Sequence, residues 1–195
     1  MASTSKSAAT MDAITLLTDD HARVNKLFKA FQKAEKEDDL EAMEDVITTA
    51  CAELDVHSKL EKELFYPAVR EQADEESRDL LAEADVEHES VDALVHKLSE
   101  VKLDDEMYKA NFTVLMEYVK HHVKEEEKEM FPKVRKLKRL DLDALGERMR
   151  ARQEELMGDY LREAGYAAED IEAAKAAMVA ANKPRAKART IRAHR

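Results

Sequence analysis

Glycine and proline are scarce in this chain of 195 residues, with three of each, and it has no tryptophan and one cysteine. So few helix breakers, beside plentiful Ala, Leu, Glu, Lys and Met, exclude a turn-rich β architecture and predict an all-α protein. Strand-like runs of β-branched and aromatic residues are missing as well. The lone thiol, Cys51, excludes an internal disulfide and an iron–sulfur cluster, and a reducing, cytoplasmic setting is the expectation. No segment has the length and apolarity of a signal-peptide core or a membrane span, so no membrane partner is expected. Cationic charge is short too. The net charge is −11, and the last thirteen residues hold six Lys/Arg and no acid, so the rest is more acidic still. An acidic body argues against nucleic acid as the main partner.

Apolar residues recur at helical spacing in four stripes. The first is Ile14, Leu17, His21, Val24, Phe28 and Phe31, with Thr18, Asp19 and Asp20 as a start signal for its main part. The second is Leu40, Met43, Ile47, Ala50, Leu54, His57, Glu61, Leu64 and Ala68. The third is Leu81, Ala84, His88, Val91, Val95 and Leu98; the fourth is Tyr108, Phe112, Leu115, Val119, His122, Glu126 and Met130. Short polar connections ("KEDD", "QADEES", "KLDDE") suit antiparallel neighbours. The expected architecture is an antiparallel up-down-up-down four-helix bundle over residues 12–140, after a flexible tail at 1–11. A helical extension over 141–182 follows, with Gly165 as a stop signal and an Ala-rich helix from 168 to 181. Residues 183–195 read as a basic, disordered tail with almost nothing to bury.

Each stripe contains one histidine: His21, His57, His88 and His122. Two also contain a glutamate one turn later, Glu61 and Glu126. Positions i and i+4 share a helix face, so such a His and Glu can reach one ion or an adjacent pair. Glu-rich helices generate these pairs without function, and a single core histidine usually needs only one hydrogen bond. Yet five of the six histidines that have a residue at i+4 carry an acid there, where the acid content would give about one. Six polar groups on core-facing positions would be six separate defects, because a buried carboxylate is costly unless paired or bound to metal. Converging on a cation, they explain one another. Without the metal, Glu61 and Glu126 would be expected to lack partners.

The segments "HSKLEKELFYP" (57–67) and "HVKEEEKEMFP" (122–132) repeat His-x3-Glu-x5-Pro. This register sets His122 and Glu126 opposite His57 and Glu61, and leaves His121 and Glu125 off the core face. Tyr66 and Tyr118 read as core and rim aromatics, with a role beside the metal as the alternative.

With "DDHARVNKLF", "HSKLEKELFYP", "EHESVDALVHKL" and "HHVKEEEKEMFP" in this order, the chain resembles the hemerythrin-like proteins of the HHE cation-binding type. The resemblance covers about residues 12–140. It implies a four-helix bundle around two non-haem iron ions with a bridging oxygen. His21, His57, His88 and His122 would be terminal ligands, and Glu61 and Glu126 would bridge. Two positions depart from the oxygen-carrying hemerythrins. Asp92 stands where they have a second histidine on the third helix, and Glu126 stands at four-residue spacing where they have an aspartate at five. Both bear on reversible oxygen carriage, not on iron binding. Asp92 is left open as a further ligand or a solvated acid.

Imidazole and carboxylate without thiolate suit iron, with manganese or zinc as lesser alternatives, and disfavour copper(I). Six ligands with two bridges fill about eight of about twelve positions around two octahedral ions, so positions remain for dioxygen, nitric oxide or peroxide. The absence of Glu-x-x-His, with Asp85-x-x-His88 as its nearest approach, argues against a ferritin-like oxidase. The expected function is binding or sensing of such a ligand at a di-iron site. Catalase-like disproportionation of peroxide and iron handling or sensing are the alternatives.

Overall fold

The computed structural model describes residues 11–101 and 105–173, which are helical and turn segments with no strand among them. Five long helices dominate: α1 (Ala13–Glu37), α2 (Leu40–Leu60), α4 (Glu75–Glu100), α5 (Glu106–Glu125) and α7 (Leu142–Glu163). Two short ones, α3 (Tyr66–Arg70) and α6 (Phe131–Val134), continue α2 and α5 after single wide turns, Glu61–Phe65 and Glu126–Met130. Among the described residues no helix is long and apolar enough to cross a membrane.

Aspartate starts every long helix. Asp12, Asp39, Asp74, Asp105 and Asp141 accept from backbone N–H groups at 2.8–3.0 Å, each cap contributing about 1 kcal/mol. The first helix thus begins five residues before the start signal expected at Thr18. Thr18 lies inside it, its hydroxyl donating to the Ile14 carbonyl at 2.8 Å. Asp38, at φ 53°, closes α1 in the left-handed region that Asp tolerates, and the chain turns directly into α2.

The stripes face inward as expected, except that Leu40 at the head of the second is exposed, Val95 is half-buried, and past Glu61 the buried places pass from Leu64 and Ala68 to Phe65, Tyr66 and Val69. They form two apolar clusters rather than one. One holds Phe28, Phe31, Ile47, Leu54, Phe112 and Leu115, the other Leu16, Leu17, Leu60, Phe65, Phe131 and Met149. Edge-to-face ring pairs brace both, Phe31 on Phe112 at 4.7 Å and Phe65 on Phe131 at 5.8 Å. Between the clusters lies a layer of buried polar side chains.

Helix α7 crosses α1 and α2. Its Gly146 meets the chain at Met11–Ala13, where a Cβ would lie 2.7 Å from the Ala13 nitrogen. Gly165, at φ 84°, ends this helix as expected. The expected Ala-rich helix is helical over residues 168–173; its remainder, the basic tail and residues 1–10 lie outside the described residues.

Candidate metal centre

The polar layer is made of the six residues selected by the stripes. Glu61 is 0 % exposed, Glu126 1 %, and the four histidines 4–6 %. Each glutamate stands between two histidines from different helices. Glu61 Oε2 is 3.2 Å from His57 Nε2 and 3.0 Å from His88 Nε2. Glu126 Oε2 is 3.2 Å from His21 Nε2 and 3.5 Å from His122 Nε2. The Nε2 atoms of His21 and His57 are 3.3 Å apart. Two groups of candidate donors result, His21, His57, Glu61 and Glu126, and Glu61, His88 and His122, each with its donor atoms within 4.8 Å of one another. Glu61 belongs to both.

Both glutamates open the wide turns that interrupt the second and fourth stripes. There the backbone bond runs from i+5 to i, from Tyr66 N–H to the Glu61 carbonyl and from Phe131 N–H to the Glu126 carbonyl. Pro67 and Pro132 follow directly. A proline has no N–H for the i−4 carbonyl and its ring crowds that carbonyl, so a widened turn before it relieves the conflict. The His-x3-Glu-x5-Pro repeat is therefore a backbone device as well as a ligand pattern.

The outer nitrogens of the rings follow a rule that spacing did not reveal. His21 Nδ1 meets Glu127 at 3.0 Å, His88 Nδ1 meets Ser58 Oγ at 2.9 Å, and His122 Nδ1 meets Glu87 at 2.7 Å. His57 Nδ1 faces Asp20 Oδ2 at 3.6 Å. Each partner is the sequence neighbour of a residue in the central layer: Asp20 precedes His21, Ser58 follows His57, Glu87 precedes His88, and Glu127 follows Glu126. Three helices thus hydrogen-bond the ring of the next, and Asp20 faces His57 in the fourth place of the cycle. A carboxylate accepting from Nδ1–H leaves the Nε2 lone pair aimed at the centre, the tautomer a metal ligand needs.

The donor set fits a metal. Both oxygens of Glu61, Oε2 of Glu126 and Nε2 of His122 are buried without a hydrogen-bond partner, an arrangement that costs free energy unless another partner satisfies them. The expectation that the metal-free glutamates stand alone needs correcting. Burial alone would raise Glu61, but His57 and His88 outweigh it and hold the carboxyl well below its ordinary range. Burial opposes a charged His57, but chiefly Glu61, with Asp20, lifts it well above its ordinary value. Burial likewise opposes charge on His122, but Glu126 and Glu87 bring it to about 9. Protons and metal compete for the same nitrogens.

Other candidates separate clearly. His121 is more than half exposed, pairing with Glu125 at 3.1 Å outside the layer. Asp92 accepts from Lys62 Nζ at 2.6 Å and from Ser58 Oγ at 3.4 Å, so it touches the layer only through Ser58. Tyr118 is exposed. Tyr66 is not a bystander of the core. Its hydroxyl donates to Glu126 Oε1 at 3.0 Å and lies 3.0 Å from His88 Nε2.

A family model described as the hemerythrin HHE cation binding domain matches residues 12–134. The crystal structure of a hemerythrin HHE cation binding domain-containing protein from Mycobacterium kansasii superposes with a TM-score of 0.64 at 24 % identity, covering 83 % of this chain and 98 % of that one. No curated protein matches the sequence. The family match spans well over half of the chain.

Proposed function

From the premise that the chain belongs to the hemerythrin HHE cation-binding family, we propose that it is a non-haem di-iron protein that binds or senses a small ligand, dioxygen, nitric oxide or peroxide. His21, His57, His88 and His122 hold the two ions, and Glu61 and Glu126 are shared between them. The observation that carries this reading is the pair of glutamates, each set between histidines of different helices, with oxygens that no hydrogen bond satisfies. Bound iron would supply a redox-active Lewis acid. The chain's own residues orient the ligand nitrogens, keep bulk water out and limit access.

Access is limited by size. Beside the four histidines lies a cavity of about 20 Å³, walled by Val24, Leu54, Val91, Val119 and Val123. That is room for about one water-sized molecule, which suits a diatomic ligand or peroxide. The topology we propose is the up-down-up-down bundle over residues 12–140, with 141–182 as an extension. The cycle of ring supports favours it. Going round the centre, the supporting residue lies alternately before and after its own helix's residue in the layer. A right-handed helix must alternate in this way if successive helices run in opposite directions.

One observation favours a second reading, disproportionation of peroxide. The Tyr66 hydroxyl is a buried proton donor within the layer, and cleavage of peroxide needs a proton for the departing oxygen. The experiment that tests both is metal analysis with an optical spectrum of the iron-loaded protein before and after air, azide and peroxide. Ligand-dependent bands without oxygen evolution support binding or sensing, and oxygen evolution from peroxide supports the enzyme. A chain that holds fewer than two ions refutes the di-iron site.

A further inference from the structure

Helix α7 lies beyond the residues that match the family, yet one of its side chains ends at the candidate centre. Gln153 is 2 % exposed, and its amide nitrogen donates to Asp20 Oδ2 at 2.9 Å and to Oδ1 at 3.1 Å. Asp20 is equally buried, and Arg23 grips its Oδ1 from one helical turn away. The free side of Oδ2 faces His57 Nδ1 at 3.6 Å. That nitrogen has no hydrogen-bond partner, whereas the outer nitrogens of the other three rings are bonded within the matched segment. His57 is therefore the one ring whose support depends on a carboxylate that α7 helps to aim.

We propose that Gln153 is a positioning residue for the metal centre: through Asp20 it sets the ring of His57, and so makes α7 part of what retains the metal. The inference rests on the reading of His57 as a ligand. With Arg23 alone, the Asp20 carboxylate is anchored at one oxygen and can swing about its side-chain torsions. The Gln153 amide holds the second oxygen and fixes the plane that His57 Nδ1 meets. Loss of an outer partner of a metal-bound histidine typically lowers metal affinity about 10–100-fold.

The test uses the full chain loaded with two equivalents of cobalt(II), whose visible bands report ligand geometry, and then challenged with excess chelator. Gln153→Leu should release one of the two ions faster than wild type, by up to the about 10–100-fold that loss of the Asp20 carboxylate itself would give, and alter the bands of that ion alone. Gln153→Asn, which keeps the amide but shortens its reach, serves as a milder variant should Leu impair folding. Tyr160→Phe is the control for mere docking, because the Tyr160 hydroxyl ties α7 to Asp55 at 2.8 Å and has no bond to the layer. It should leave both release phases unchanged. In an Asp20→Asn background, Gln153→Leu should add little further effect, since the two act in one chain. Equal acceleration by Tyr160→Phe, or full additivity with Asp20→Asn, overturns the proposal, as does wild-type release from Gln153→Leu. A wild-type chain that takes up no cobalt refutes the metal reading itself, and this inference with it.

Discussion

The pH dependence of metal uptake follows from the charges that the centre carries without metal. His122 is brought to about 9 because Glu126 and Glu87 outweigh the burial that opposes its charge. At pH 7, two units lower, roughly 99 % of metal-free chains hold that proton. An imidazolium has no lone pair for a cation, so filling its position expels about one proton from His122. Affinity should therefore rise about tenfold per pH unit between pH 6 and 8 from this ring alone, whose contribution levels off above about 9, and more steeply with His57. The fold responds in the opposite sense. A histidine raised from its ordinary 6.5 stabilises the folded chain fully below that value and loses the contribution as pH rises through about 9. Glu61 is lowered from its ordinary 4.5, so its contribution is complete above that value and is lost as pH falls through its depressed one. The metal-free protein should be most stable between about 4.5 and 6.5, while the advantage of loaded over empty protein grows from pH 6 to 8. Anaerobic calorimetry with iron(II), in buffers of different ionisation enthalpy, measures the protons released, and paired thermal melts measure the two stabilities. Uptake that is flat from pH 6 to 8 with no proton release would refute the reasoning.

Further outcomes are expected. His122→Ala should remove one of the two ions, whereas His121→Ala, outside the layer at 59 % side-chain exposure, should leave the stoichiometry intact; metal analysis decides, and equal losses would mean the register is wrong. Iron-loaded protein should melt above metal-free protein, the difference reaching about 4 kcal/mol when free metal is a thousandfold above its dissociation constant. Coincident melts with iron demonstrably bound would show that it sits elsewhere. Gly146→Ala should destabilise the fold by about 1–3 kcal/mol, since its Cβ would press into the backbone at Asp12 and Ala13; calorimetric melting checks this, and an unchanged midpoint would refute the close docking of α7.

Helical period carried most of this reading. It put four histidines and two glutamates on inward faces, and inward positions at similar depth are brought together by any bundle of these helices. The period says nothing where the relevant contact crosses between helices or where the backbone departs from its regular form. Thr18, Asp19 and Asp20 looked like a cap because short polar residues cap helices, but Asp12 fills that role and Asp20 is buried beside His57. Ser58, Glu87 and Glu127 carried no sequence signal. A residue next to a ligand lies about 100° round the helix, and only the packing says whether that direction meets water or another ring. The wide turns at Glu61 and Glu126 were written in Pro67 and Pro132, whose missing N–H groups forbid a regular continuation. Gln153 had no sequence signal at all, because its partner lies 133 residues away.

The division of the interior explains how such a layer is tolerated. Buried ion pairs are weak stabilisers, since desolvation cancels much of their attraction, so paired histidines and glutamates do not hold the helices together. The apolar clusters on either side do, with the Phe28, Phe31 and Phe112 rings at one end and Phe65, Phe131 and the α7 residue Met149 at the other. Because α7 completes the second cluster and also reaches Asp20 through Gln153, the helix beyond the family match takes part in both tasks. The centre can then exchange protons for metal while its walls stay in place. A bundle stabilised only by its metal would have to unfold to do so.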